Sequence, residues 1–273
     1  MSAFKSILVH LDSSARCAER LQVARQVAQK FDSALVAHYC VTPSLWRYPL
    51  AIEYGGDILG IMEEVDAERR AKAYALYSKH SNGGAGIAWS EQTIDAPWGL
   101  VTRALYSDLL VLGQRDPDDP AVADMPADFL PSLLVDSGRP GLLLPFAGPV
   151  APIGNIVLVA WKETREAARA VRAALPWLYS AKEVHVIGYG DDPQGPLEAL
   201  HAYLNDHGVA ASIHPSGVET GDAAQALLSR AADLEADLLV MGCYGHSRAR
   251  ERVLGGMTRS ILDSMTLPVL MVH

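Results

Sequence analysis

The stretch Gly242-Cys243-Tyr244-Gly245, followed after nine residues by Gly255-Gly256-Met257-Thr258, is the part of this chain best suited to chemistry. An apolar run, Leu238 to Met241, breaks off at Gly242, and His246, Arg248, Arg250 and Arg252 lie between the glycines. Glycines let the backbone approach an anion closely, and successive N–H groups form a concave donor surface. A helix starting behind Gly255-Gly256 would add the positive end of its dipole. The implied chemistry is phosphate binding, with backbone donors from Gly242, Gly245, Gly255, Gly256 and Met257 and charge from His246 or Arg248. An ordinary strand–loop–helix junction with solvated arginines fits the same pattern.

Other chemistries find less support. No G-x-S-x-G elbow, Walker loop or G-x-G-x-x-G motif is present. His10, His38 and His185 sit among apolar strand residues, and His201 and His207 are six apart on one helix, so all read as structural or surface residues. Glu63-Glu64 lies in a charged helix with Glu68, Arg69, Arg70 and Lys72, where pairing and solvation explain it. Three cysteines are too few and too scattered for a disulfide framework or zinc site. Cys17 and Cys40 read as small buried hydrophobes. Cys243 is either an exposed thiol or a small residue suited to a tight turn.

The elements that must position the glycine loop are written twice. Lys5 to Ser14 followed by a helical stretch corresponds to Asn155 to Thr164 followed by another. Ser107-Asp108-Leu109-Leu110-Val111-Leu112-Gly113 corresponds to Ala236-Asp237-Leu238-Leu239-Val240-Met241-Gly242, and each copy closes on a short strand after a proline. Phe146 to Pro152 reads as a linker, giving domains over 1–147 and 153–273. Strands apolar on both sides alternating with amphipathic helices predict two five-stranded parallel sheets covered by helices on both faces. The final strands, near 141–145 and 268–272, are expected to pair across an internal pseudo-two-fold, since each would otherwise leave an exposed edge. Ligands of such sheets bind beyond the carboxyl ends of the strands, where positions 12, 162 and 242 fall. An insertion in the first copy, Pro43 to Gly60, carries Trp46, Tyr48 and Tyr54 and either covers that rim or packs on its own domain.

The chain has 23 basic and 32 acidic residues, a net charge of −9, which argues against a nucleic-acid-coating surface. No apolar run approaches the roughly 18 residues of a membrane span, and the N-terminus enters the strand-like Ile7-Leu8-Val9 directly, so a cytoplasmic protein is expected.

On the G-x2-G-x9-G spacing of Gly242, Gly245 and Gly255, with its flanking strands and the duplication, the chain resembles tandem members of the universal stress protein superfamily. The resemblance implies Rossmann-like domains of the adenine nucleotide alpha hydrolase-like type, packed as a pseudo-dimer that could associate further as a homodimer. It also implies a role in stress response or signalling, ATP or another adenine nucleotide at the glycine loop in some members, and no defined catalytic reaction. In ATP-binding members an acid at the end of the first strand reads the adenine.

This chain departs from that pattern in complementary ways. The first copy has the acid, Asp12, but after Gly113 its loop runs Gln114-Arg115-Asp116-Pro117-Asp118-Asp119-Pro120, which is short of backbone donors and repels phosphate. Asp12 there reverts to a turn or N-cap residue. The second copy keeps the loop but has Lys162 in place of the acid, and ammonium cannot accept a hydrogen bond. Lys162 either selects a different anion or is a solvated strand-end residue. Gly256 replaces a hydroxyl residue, and Thr258 comes two positions late. The expectation is therefore ATP, ADP or AMP in the C-terminal copy only; a scaffold of the same fold that binds no nucleotide is the alternative.

Overall fold

The computed structural model describes residues 4–54, 56–81, 86–92, 98–148, 152–189, 193–216, 222–245 and 256–273. The chain divides into two compact units, residues 1–139 and 140–273. Among the described residues no helix is long and apolar enough to cross a membrane.

The first unit contains β1 (Ser6–Leu11), α1 (Cys17–Phe31), β2 (Ala34–Tyr39), α2 (Ser44–Arg47), a 3-10 helix (Pro49–Tyr54) and α3 (Gly56–Ser81). It continues with β3 (Ile87–Glu91), α4 (Gly99–Ala104), β4 (Leu109–Gly113), a second 3-10 helix (Pro120–Asp124) and α5 (Phe129–Ser137). The strands run in the order β3-β2-β1-β4, all parallel. Ile7, Val9, Leu109 and Val111 are wholly inaccessible, which is why β1 and β4 read as continuous apolar runs rather than alternating ones. Helix α1 lies against β1, β2 and β4, and it buries Leu21, Ala24, Val27 and Ala28 at helical spacing.

The second unit contains β5 (Gly141–Leu144), β6 (Ile156–Trp161), α6 (Arg165–Leu178), β7 (Glu183–Tyr189) and α7 (Gln194–Asp206). It ends with β8 (Ser212–Ser216), α8 (Ala223–Asp233), β9 (Leu238–Gly242), α9 (Met257–Ser264) and β10 (Val269–Val272). The order β8-β7-β6-β9 repeats that of β3-β2-β1-β4, with β10 added beside β9. The expected pairing of closing strands is present: β5 runs antiparallel to β10, with Leu142 opposite Leu270. That ladder ties β5 to the second unit, so the division between units falls ahead of it.

In both units the first strand lies between the second and fourth, so the chain leaves β1 and β4, or β6 and β9, toward opposite sides of the sheet. The rim between those two strands is a topological switch point. Asp12 and Gly113 stand there in the first unit, Lys162 and Gly242 in the second.

Candidate functional site

In the first unit the rim is filled by the chain itself. Asp12 is buried. Its Oδ1 accepts the Ser14 N–H at 3.1 Å, forming an Asx turn, together with the Ser14 hydroxyl and Arg20 Nη2 at 2.6 Å. It does not cap α1, whose N-cap position is Arg16, with no side-chain cap hydrogen bond. Arg20 is equally buried and donates from Nε to the His10 carbonyl at 2.8 Å. Its guanidinium occupies the space a Cβ on Gly113 would need, 2.1 Å from Nη1.

Burial alone would raise the Asp12 pKa; the Arg20 charge, then His10 and the Ser14 and Arg20 bonds, outweigh it and hold the carboxyl at about 2. Burial lowers the His10 pKa, and Nε2 donates to the Cys40 carbonyl at 2.8 Å.

The acidic loop after β4 does more than lack donors. Asp124 Oδ2 accepts the Ser13 N–H at 3.2 Å and the Ser13 hydroxyl at 2.6 Å, and Asp119 Oδ2 accepts the Ala15 N–H at 2.8 Å. With Asp12 on Ser14, three successive amides in the turn ahead of α1 each end on a different carboxylate of this chain. Such a row of N–H groups is the donor set an anion would use. The insertion completes the closure: Arg47 and Arg69 approach Asp124 at 3.5 Å, and the Thr42 N–H donates to the Asp124 carbonyl. The covering function considered for the 43–60 insertion thus falls to Arg47 and to Arg69 of the following helix. Trp46 and Tyr48 are 54% and 57% exposed. Sequence reasoning saw the acids as repulsive and missed both their inward turn and Arg20, an arginine four residues into an amphipathic helix where an apolar residue belongs.

The second unit's rim is built differently. A Cβ on Gly242 would stand 2.5 Å from the Ala167 nitrogen and 2.7 Å from the Glu166 carbonyl carbon, so glycine here admits the first turn of α6 against the end of β9. Thr164 starts that turn, its hydroxyl accepting the Ala167 N–H at 3.2 Å. Beyond Gly242 the backbone turns through Tyr244 at φ 55°, and the Tyr244 N–H donates to the Thr258 hydroxyl at 3.2 Å. Thr258 is therefore a clamp that joins α9 to the glycine turn. Thr258→Val is expected to cost about 1 kcal/mol and to speed amide exchange at Tyr244, measured by hydrogen–deuterium exchange.

Gly256 is the N-cap of α9, in extended conformation and with no side-chain cap. Gly245 and Met257 flank this junction. His246, Arg248 and Gly255, with Arg250 and Arg252, lie outside the described residues.

Lys162 is exposed just past β6. Glu166, which sequence reasoning passed over, is buried in the first turn of α6. It pairs with Arg165, and its Oε2 lies 3.2 Å from where a Gly245 Cβ would be. Its place at the second helical position, favoured by the helix dipole, was the signal available. Burial opposes ionisation of Glu166, but the Arg165 bond outweighs it and keeps the pKa below the ordinary value. An anion at Gly245 would thus meet a carboxylate. Cys243 is buried, its N–H bonded to the Val272 carbonyl, which decides for the small-residue reading over the exposed thiol. Among the described residues no group of three His, Cys, Asp or Glu could hold a metal ion.

The model of the universal stress protein family matches residues 155–273. A universal stress protein from Archaeoglobus fulgidus DSM 4304 superposes on 99% of this chain and 96% of its own, with a TM-score of 0.73 and 16% identity. A functionally unknown protein from Pseudomonas aeruginosa PAO1 covers 99% of this chain and 93% of its own, with a TM-score of 0.63 and 18% identity. The search of curated proteins produced no match. At these identities the structural likeness speaks to the fold.

Proposed function

We propose a tandem stress-response protein that holds an adenine nucleotide in its C-terminal unit alone, a reading supported by the match of residues 155–273 to the universal stress protein family model and by the likeness of fold across the chain. ATP, ADP or AMP is the ligand, and binding rather than turnover is the function. The observation that carries the asymmetry is the closure of the first rim by Asp12, Asp119 and Asp124 on the amides of Ser13, Ser14 and Ala15. An internal carboxylate is held at a high effective concentration, so a dissolved phosphate competes poorly with it.

The second rim retains the glycine turn and the uncapped start of α9, whose first amides have no partner within the helix. Domain limits of 1–147 and 153–273 belong to the same proposal, with β5 exchanged toward the second sheet.

Two residues weaken the second site. Lys162 offers no acceptor to an adenine amino group, and Glu166 sets a negative charge under Gly245. Isothermal calorimetry with ATP, ADP and AMP tests the reading. Lys162→Asp is expected to tighten binding about tenfold, equivalent to about 1.4 kcal/mol, and Gly245→Asp to abolish it. The Glu166 carboxylate favours a second reading, a scaffold of this fold that binds no nucleotide. Absence of heat in both the parent protein and Lys162→Asp would establish the scaffold in place of the nucleotide site.

A further inference from the structure

Helix α3 stands apart in the first unit: 26 residues long, it buries only Ala73 among its described residues. It is held by its inner face, where Asp66 accepts the Ser44 N–H and hydroxyl and Arg69 donates to the Thr42 carbonyl at 2.8 Å. At 3.6 residues per turn the opposite face carries Ile61 and Val65, 59% and 42% exposed, followed two to three turns later by exposed Ala71 and Ala75. Asp57 and Glu64 stand on the same face toward its N-terminal end, Lys72 and Lys79 toward its C-terminal end, and Glu68 between them, all exposed.

We propose that this face of α3 associates with α3 of a second copy of the chain, antiparallel, about a two-fold axis beside Glu68. In that register Asp57 faces the partner's Lys79 and Glu64 faces the partner's Lys72. Ile61 lies over the partner's Ala75 and Val65 over the partner's Ala71. Two-fold symmetry doubles each pair, because a patch that meets itself must be self-complementary. The small alanines let the helices approach closely enough for the branched side chains to be covered.

The second copy is the occupant to which the charge pattern points. The chain's net charge of −9 opposes association between copies. Along α3 the acids and bases are segregated, so antiparallel pairing converts that repulsion into attraction, whereas parallel pairing would set like charges together. One helical stripe falls short of the roughly 800 Å² per partner of a standard interface. α2 and the first 3-10 helix pack on α3, and Trp46 and Leu50 on them are more than half exposed. Glu68 meets its own copy on the axis, a repulsion that limits affinity.

Sedimentation velocity over a concentration series of the full chain, whose single copy is 29.4 kDa, reads the association directly. Val65→Glu and Glu64→Lys are each expected to weaken the dimer by tenfold or more, and the double variant Glu64→Lys/Lys72→Glu to restore it. Glu68→Gln is expected to tighten it. Lys72 also donates to the Ser13 carbonyl at 3.1 Å, so Asp57→Lys/Lys79→Asp serves as a second exchange, with circular dichroism verifying that each variant is folded. A chain of 29.4 kDa at every concentration would overturn the proposal. So would a dimer whose affinity the single charge reversals leave unchanged.

Discussion

Arg20→Met is expected to destabilise the first unit by about 3–5 kcal/mol, because it strands a buried carboxylate without its main charge partner. Asp12 and Arg20 are 7% and 4% exposed, and their contact is 2.6 Å. Losing the guanidinium also empties the space over Gly113 and removes the donor to the His10 carbonyl. The paired change Asp12→Leu/Arg20→Met is expected to recover most of the loss, since replacing both members of a buried pair by apolar groups removes the uncompensated charge. Urea unfolding at neutral pH checks both, and a cost below about 1 kcal/mol for Arg20→Met would show that water reaches Asp12.

The pH dependence has a definite sign. The folded pKa of Asp12, about 2, lies below the unfolded value, so its contribution is complete above about pH 4 and is lost as pH falls toward 2. In Asp12→Asn that part of the acid limb should be flatter.

Gly242→Ala is expected to cost the second unit about 2–3 kcal/mol. The added methyl would meet the Ala167 nitrogen at 2.5 Å and the Glu166 carbonyl carbon at 2.7 Å, and backbone atoms of a helix cannot rotate out of the way. Gly245→Ala is a milder change, since its nearest neighbour is the end of the Glu166 side chain at 3.2 Å. Thermal unfolding of the two variants separates their roles. If Gly242→Ala melts with the parent protein, the close approach of α6 is not a constraint, and Gly242 returns to being a ligand-facing glycine.

These outcomes also mark how far the sequence can be read. The duplication, the parallel apolar strands, the pairing of the closing strands β5 and β10 and the match of residues 155–273 to the universal stress protein family model are all legible as pattern along the chain. Each depends on periodicity, spacing or repetition along the chain, which hydrophobic burial converts into elements and their order in the sheet.

What the rim contains depends on contacts that no spacing records. Asp119 and Asp124 lie more than a hundred residues from the amides of Ala15 and Ser13 that they satisfy. Arg20 looks like an oddity in α1 until β4 brings Gly113 beneath it. In the second copy the fold sets Glu166 under Gly245 and turns Thr258 onto the Tyr244 amide. The sequence by itself therefore determined two similar sets of strands and the rim at their carboxyl ends. Only the tertiary structure decided which groups occupy that rim, because a buried donor or charge takes whatever partner folding brings within reach, however distant in the chain.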